Sequence, residues 1–156
     1  MEEGTHGGQR IVPDTSSIID GILSRGIEEG EFKGYDIYVP EGVVAELEAQ
    51  ANRGLEIGFK GLEELQKLQQ MSEAGKIYLF YTGERPNLDH VKLAKGGEID
   101  ALIRKSATEL GARFVTGDRI QSLVARAKGL EVDFVKPRPE GFGPLLIDGF
   151  FTPDTM

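Results

Sequence analysis

The chain contains no cysteine, which excludes disulfides, thiolate metal sites and a cysteine nucleophile. Histidine is nearly absent too. His6 lies in the N-terminal leader and His90 in a long loop, with no metal-ligand spacing between them. No apolar run approaches the roughly 20 residues of a membrane span, and the opening MEEGTHGGQR has no apolar centre like that of a secretion signal. A cytoplasmic protein without a membrane partner is the expectation. Positive charge is scarce: 18 Lys and Arg stand against 26 Asp and Glu, for a net charge of −8 and a pI near 4.8. The chain therefore lacks the overall basic character that usually supplies affinity for nucleic acid.

What is present suits one soluble domain, since 156 residues with a hydrophobic share of 39% can bury a substantial core. Residues 10 to 13 read as a buried strand, followed by the N-cap candidates Asp14 to Ser17 and the apolar-periodic SIIDGIL, a helix. YDIYVP is a second strand stopped by Pro40, and EGVVAELEAQANRG a helix ended by Gly54. Phe59, Leu62, Leu65, Leu68 and Met71 repeat with a helical period over residues 59 to 74, and KIYLFYTG is a third strand. That helix face is either core or an oligomerisation seam. After a long loop over residues 83 to 97 come a helix (GEIDALIRKSATELG), a strand (ARFVTG), a helix (DRIQSLVARAKG) and a strand (LEVDFVKP). Strands that alternate with helices predict a three-layer α/β/α sandwich around a mainly parallel sheet of about five strands.

Residues 1–9 read as a flexible leader and 10–136 as the folded domain. From Pro137 onward, PRPEGFGPLLIDGFFTPDTM reads either as a linker or docking tail or as a closing strand on its own domain. The aromatics Tyr35, Tyr38, Tyr78, Phe80 and Tyr81 fall in strand-like runs and are expected in the core, not as base-stacking platforms.

Four carboxylates sit where such a fold converges them. Asp14 closes RIVPD, Glu46 lies in VVAELE, Asp100 in GEIDALIR, and Asp118 closes ARFVTGD. Asp14 and Asp118 each also suit an N-cap, and Glu46 and Asp100 could be ordinary acids in the opening turns of helices. All four, however, map to the carboxyl ends of the strands, the rim where open α/β sheets bind ligands. Carboxylates gathered there cannot all stay ionised without a cation. Hard divalent ions prefer oxygen ligands, so Mg²⁺ or Mn²⁺ and phosphate chemistry follow. Glu98 is a fifth candidate ligand if it precedes the helix that carries Asp100. Thr15, Ser16 and Thr116 suit orienting hydroxyls or plain backbone caps. Arg119, Lys95 and Arg104, with Lys92 and Lys105, are basic groups near these acids that could meet substrate.

In order, spacing and flanks the set resembles the PIN-domain nucleases. IVPDTSSIID resembles that family's opening aspartate motif, VVAELE its glutamate motif, GEIDALIRKSA its central aspartate helix and FVTGDRIQ its closing T-x-D motif, with Asp100 and Asp118 18 residues apart. The resemblance covers roughly residues 10 to 136. It implies a Mg²⁺- or Mn²⁺-dependent endonuclease that cuts single-stranded RNA, with Asp14, Glu46, Asp100 and Asp118 as catalytic metal ligands, leaving 5′-phosphate and 3′-hydroxyl ends. Within the family, FFTPDTM is similar to the lead-in to an ATPase domain in archaeal proteins that also carry a KH-type RNA-binding segment. No G-x-x-x-x-G-K-[ST] motif occurs here, so any ATPase would lie beyond Met156. Two alternatives remain open: a catalytically silent docking or oligomerisation domain, and the small toxin RNases of toxin–antitoxin pairs. A phosphatase fold is disfavoured because the next acid after Asp14 is Asp20, expected to be exposed.

Overall fold

Short runs of branched and aromatic residues between glycine and proline stops become strands, and the amphipathic runs between them become helices. The computed structural model describes residues 9–87, 97–136 and 145–148. Strand β1 (Arg10–Pro13) leads into helices α1 (Thr15–Ile19) and α2 (Ile22–Glu28). Strand β2 (Asp36–Pro40) is followed by α3 (Glu41–Asn52) and α4 (Glu56–Glu73), and β3 (Tyr78–Thr82) comes next. Helix α5 (Gly97–Leu110), β4 (Arg113–Thr116), α6 (Arg119–Ala127), β5 (Val132–Lys136) and β6 (Leu145–Asp148) complete the described order.

The sheet runs β3-β2-β1-β4-β5-β6. Its first five strands are parallel, as expected, and β6 pairs antiparallel with β5. Residues 145–148, in the stretch read as a tail or a closing strand, thus extend the sheet. From β1 the chain steps outward to β2 and β3, then crosses back to β4 and steps the other way to β5. Right-handed crossovers consequently put α1 to α4 on one face and α5 and α6 on the other, in three layers. The reversal of direction falls between β1 and β4, a topological switch point.

Three local expectations are corrected. The helix read in SIIDGIL is two, because Gly21 takes a left-handed conformation (φ 69°) between α1 and α2. Helix α2 then continues to Glu28, beyond SIIDGIL and into the glycine- and glutamate-rich run GIEEGEFKG. Phe59, expected on the buried stripe of α4, is 50% exposed, while Leu65, Leu68 and Met71 are buried in the core. At that end of α4 the buried positions are Gly58 and Gly61, whose missing side chains admit α3. A Cβ on Gly58 would stand 2.8 Å from Gln50 C and from Leu47 O, and closer still to the Ala51 nitrogen. Third, Tyr78 and Tyr81 are largely exposed, since β3 is an edge strand, whereas Tyr38 is buried and stacks on Phe80 with centroids 4.9 Å apart.

At the amino end of β4 and within β5, the buried Arg113 guanidinium grips Asp133. Nε donates to Oδ2 at 3.1 Å, Nη2 donates to Oδ1, and Nη1 reaches Glu131 at 2.9 Å. Forked pairing of this kind satisfies both charges where water cannot.

The α3–α4 contact gives a test whose sign separates local propensity from packing. In an open helix Gly58→Ala would stabilise by about 1 kcal/mol. Here it should destabilise by about 1–3 kcal/mol in urea unfolding, because the clash is with backbone. A stabilised variant would contradict the close approach.

Candidate functional site

The rim at the carboxyl ends of β1 and β4 is built from two short turns stitched together. Asp14 directly follows β1, extends its pairing with β4 through a hydrogen bond donated by its amide to Val115 O (3.0 Å), and caps α1. Its side chain is only 3% exposed. Oδ1 accepts from the Ser17 amide at 2.9 Å and Ser16 Oγ at 2.8 Å, and Oδ2 accepts from Thr116 Oγ1 at 2.6 Å. Thr116 Oγ1 in turn accepts from the Asp118 amide at 3.0 Å, and Ser16 Oγ from the Gly117 amide at 3.1 Å. The D-T-S-S turn and the T-G-D turn therefore hold each other. Gly117 has to be glycine for a steric reason: a Cβ there would sit 2.9 Å from the Val135 carbonyl oxygen.

Asp118 is exposed and caps α6, with Oδ1 accepting from the amides of Ile120 (2.8 Å) and Gln121 (3.3 Å). Its Oδ2 has no hydrogen-bond partner among the described residues. Capping thus uses one oxygen and leaves the other, so cap and ligand are compatible roles. Glu46, half-buried on α3, is held by Thr15 Oγ1, which donates to Oε1 at 2.6 Å. Asp100 comes from the first turn of α5, on the other side of the rim.

The electrostatics of Asp100 register the convergence. Its pKa is pushed up to about 6, first by burial and then by the charges of Glu46, Asp14 and Asp118, against which Arg104 acts. Asp14 is also raised, by burial, while its bonds from Thr116, Ser17 and Ser16 pull it back. Three carboxylates close enough to oppose the ionisation of a fourth form an anionic pocket that attracts a cation. The donors are carboxylate and hydroxyl oxygens, the chemistry that hard divalent ions prefer. No group of three or more acids among the described residues stands ready to hold an ion in the present arrangement.

Glu98 does not precede the helix that carries Asp100. Helix α5 already begins at Gly97, and Glu98 is exposed in its first turn, two residues from Asp100 and so turned away from it. Arg104 reaches the neighbourhood of the acids, with Nη1 donating to Gln121 Oε1. Arg119 is exposed at the start of α6, beside Asp118. Lys92 and Lys95 lie outside the described residues, as do His6 and His90.

Two residues at this rim escaped the sequence reading. Lys136 Nζ donates to Gly117 O at 2.8 Å, holding the T-G-D turn from β5. Asp20, expected to be exposed, is half-buried. Its Oδ2 would lie 3.4 Å from a Cβ on Gly117, and burial raises its pKa against the opposing charges of Lys60 and Lys136. No motif marks either residue, since both reach the rim through tertiary contacts.

A family model described as "PIN domain" matches residues 11–127. The chain belongs to the PIN-domain family. An uncharacterised KH and PIN-domain containing protein of Methanocaldococcus jannaschii is 44% identical over 149 residues, covering 96% of this chain and 23% of that protein. The chain thus spans about a quarter of this relative's length. A solved domain of a functionally unknown protein from the same organism superposes with a TM-score of 0.80 at 44% identity, covering 90% of this chain and all of that one. The PIN fold is in general a nuclease fold, with an acidic rim that serves divalent metal ions.

Two measurements test the site as built. Without divalent cations the native protein keeps a proton on Asp100 up to about pH 6, whereas the unfolded chain loses it near 3.8. Stability should then fall as pH rises from about 4 to about 6. Asp100→Asn removes that penalty, so its urea midpoint should exceed wild type at pH 7 and converge with it near pH 4. Midpoints that run parallel across this range would take Asp100 out of the acid cluster. Separately, Thr116→Val, which strips the buried Asp14 of a donor, should cost about 1–3 kcal/mol. An unchanged midpoint would mean that Thr116 does not hold Asp14.

Proposed function

We propose that this chain is the nuclease domain of a metal-dependent endoribonuclease that hydrolyses phosphodiester bonds of single-stranded RNA. The observation that carries the reading is the meeting of Asp14, Glu46, Asp100 and Asp118 at one rim, where burial first, and then the charges of the other three, push the Asp100 pKa up to about 6. Asp14, Asp100, Asp118 and Glu46 are the residues that would hold Mg²⁺ or Mn²⁺. Because no preformed cage is seen among the described residues, side chains other than the locked Asp14 would have to rearrange to do so. When bound, such an ion supplies a more acidic water, a polarised phosphoryl group and charge for the leaving oxygen.

The protein's own residues supply position. Thr116, Ser16 and the Ser17 amide hold Asp14 with its carboxylate committed, and Thr15 fixes Glu46. Asp118 is anchored through one oxygen by the first turn of α6. Arg104, beside Asp100, and Arg119, beside Asp118, are the described cations placed to meet the phosphate chain; Lys95 is proposed from the sequence alone. In the hydrolysis, a water oxygen bonds to phosphorus as the P–O3′ bond breaks. The departing 3′ oxygen takes up a proton, leaving a 3′-hydroxyl and a 5′-phosphate.

The acidic balance of the chain implies weak RNA affinity by itself. The relative that matches most of this chain is a much longer KH and PIN-domain protein. We therefore place this domain in such a longer protein, where a KH segment supplies RNA affinity, and an ATPase segment is a further expectation. The match favours this setting over that of a small toxin RNase.

The test is cleavage of end-labelled single-stranded RNA with Mg²⁺, Mn²⁺ or EDTA, running Asp14→Asn, Asp100→Asn and Asp118→Asn beside the wild type. Expected are metal-dependent cuts with 5′-phosphate ends, abolished by EDTA and by each substitution while circular dichroism stays native. Retained cleavage in the variants would remove these residues from the site. A folded wild type that binds either ion calorimetrically yet cuts with neither would overturn activity of this chain by itself, in favour of a domain that needs its missing partner or has only a docking role.

A further inference from the structure

A cavity of about 180 Å³ lies at the carboxyl ends of β2 and β3, beside the acidic rim but lined by none of its four carboxylates. The start of α3 forms one wall with Pro40 and Gly42, the flank of α5 another with Leu102 and Ser106, and the turn after β3 the third with Thr82 and Gly83. Gly42 precedes Glu46 by about one turn of α3, and Leu102 follows Asp100 by two residues on α5, so cavity and rim adjoin.

Two features mark a receptor and not a packing gap. The first is Ser106, which is only 5% exposed, yet its hydroxyl makes no hydrogen bond among the described residues. A serine within a helix can return its hydroxyl to the carbonyl one turn earlier, as Thr108 on the same helix does to Arg104 O at 3.4 Å. Ser106 Oγ faces the turn after β3 instead, 3.1 Å from where a Cβ on Gly83 would stand. The second is the start of α3, a 12-residue helix with no side-chain cap. Amides of a first helical turn have no acceptor within the helix.

The lining offers acceptors as well as donors. Glu41, half-buried, and Glu84, exposed, bring carboxylates, and the charge of Lys105 is drawn to Glu109 at 3.9 Å. That acidic share disfavours a phosphate, which a helix start alone would attract. Donors and acceptors in one small space, between the apolar Pro40 and Leu102, suit the edge of an unstacked nucleobase. Sites for drug-sized ligands take about 300–1,000 Å³, so this smaller cavity suits a single base. Among the RNA bases, guanine alone presents two neighbouring N–H donors beside a carbonyl on its Watson–Crick edge. The Glu41 carboxylate complements the donor pair, and the Gly42 amide and Ser106 hydroxyl complement the carbonyl.

We propose that this cavity binds a guanine of the RNA, close to the cleaved bond, through Glu41, Gly42 and Ser106. The proposal rests on the reading of the substrate as RNA and adds a base preference to it.

The test is a titration of the isotope-labelled 156-residue chain with guanosine 5′-monophosphate, without divalent cations, read by amide NMR shifts. The amides of Gly42, Gly83 and Ser106 should shift and saturate at millimolar nucleotide. The adenosine, cytidine and uridine monophosphates carry the same phosphate and should bind about 10-fold more weakly, as should guanosine monophosphate to Glu41→Gln. Ser106→Ala, which removes only an unpartnered hydroxyl, should weaken guanosine monophosphate too while circular dichroism stays native. If Glu41→Gln fails to fold, the nucleotide series and Ser106→Ala decide. Equal responses to all four nucleotides or to inorganic phosphate, binding led by another base, or no saturable shift at these amides overturns the proposal. The readout needs no cleavage, so the two readings fail separately. Guanine binding by a chain that cuts no RNA upholds this site against the nuclease reading, and RNA cutting without guanine binding here overturns this site alone.

Discussion

The structure turns on one buried carboxylate. Asp14 is almost fully removed from water, and an ionised group in that position is tolerable only if protein donors replace its hydration. Ser16, the Ser17 amide and Thr116 do so. Each donor belongs to backbone that must then stay in place: the first turn of α1 on one side, the end of β4 on the other. Capping of α1, the join between β1 and β4 and the shape of the T-G-D turn are consequently one cooperative arrangement. Burial raises the pKa of Asp14, and the same contacts that build the rim oppose that rise without cancelling it.

The two ends of β4 treat charge in opposite ways. At its amino end Arg113 and Asp133 neutralise each other in a buried fork, with Glu131 adding a contact from the surface. At its carboxyl end Asp118 joins Asp14, Glu46 and Asp100, and the cations at hand are differently occupied. Arg104 bonds Gln121 and only moderates Asp100, while Lys136 is taken up by the Gly117 carbonyl. A fold able to pair a buried acid with arginine forms no ion pair to the four acids at the switch point of the sheet among the described residues. That negative potential, within a chain of net charge −8, is the reason a divalent ion is proposed for the rim.

Much of this was legible in the sequence. Alternation of strand-like and helix-like runs is strong when one face is buried, and the parallel sheet came out as read. The aspartates closing RIVPD and ARFVTGD were placed at the rim because a residue that follows a parallel strand has nowhere else to be. Both aspartates cap helices and lie at the rim, Asp14 with both oxygens accepting hydrogen bonds and Asp118 with one. Periodicity failed where three-dimensional neighbours overrode it: at Phe59, displaced from the buried stripe by the close approach of α3 to Gly58, and at Tyr78 and Tyr81, exposed on β3, which has no strand outside it among the described residues.

By itself, then, the sequence determined the element types, the parallel sheet and the four acids at its rim, because hydrophobic period and strand-end position are local properties that survive in a linear string. Only the tertiary structure decided that Asp20 and Lys136 approach Gly117, that Thr15 bonds Glu46, and that β3 is the last strand on its side of the sheet among the described residues. These depend on which distant segments are brought within hydrogen-bonding distance. Chain topology and close packing set that, and no run of neighbouring residues records it.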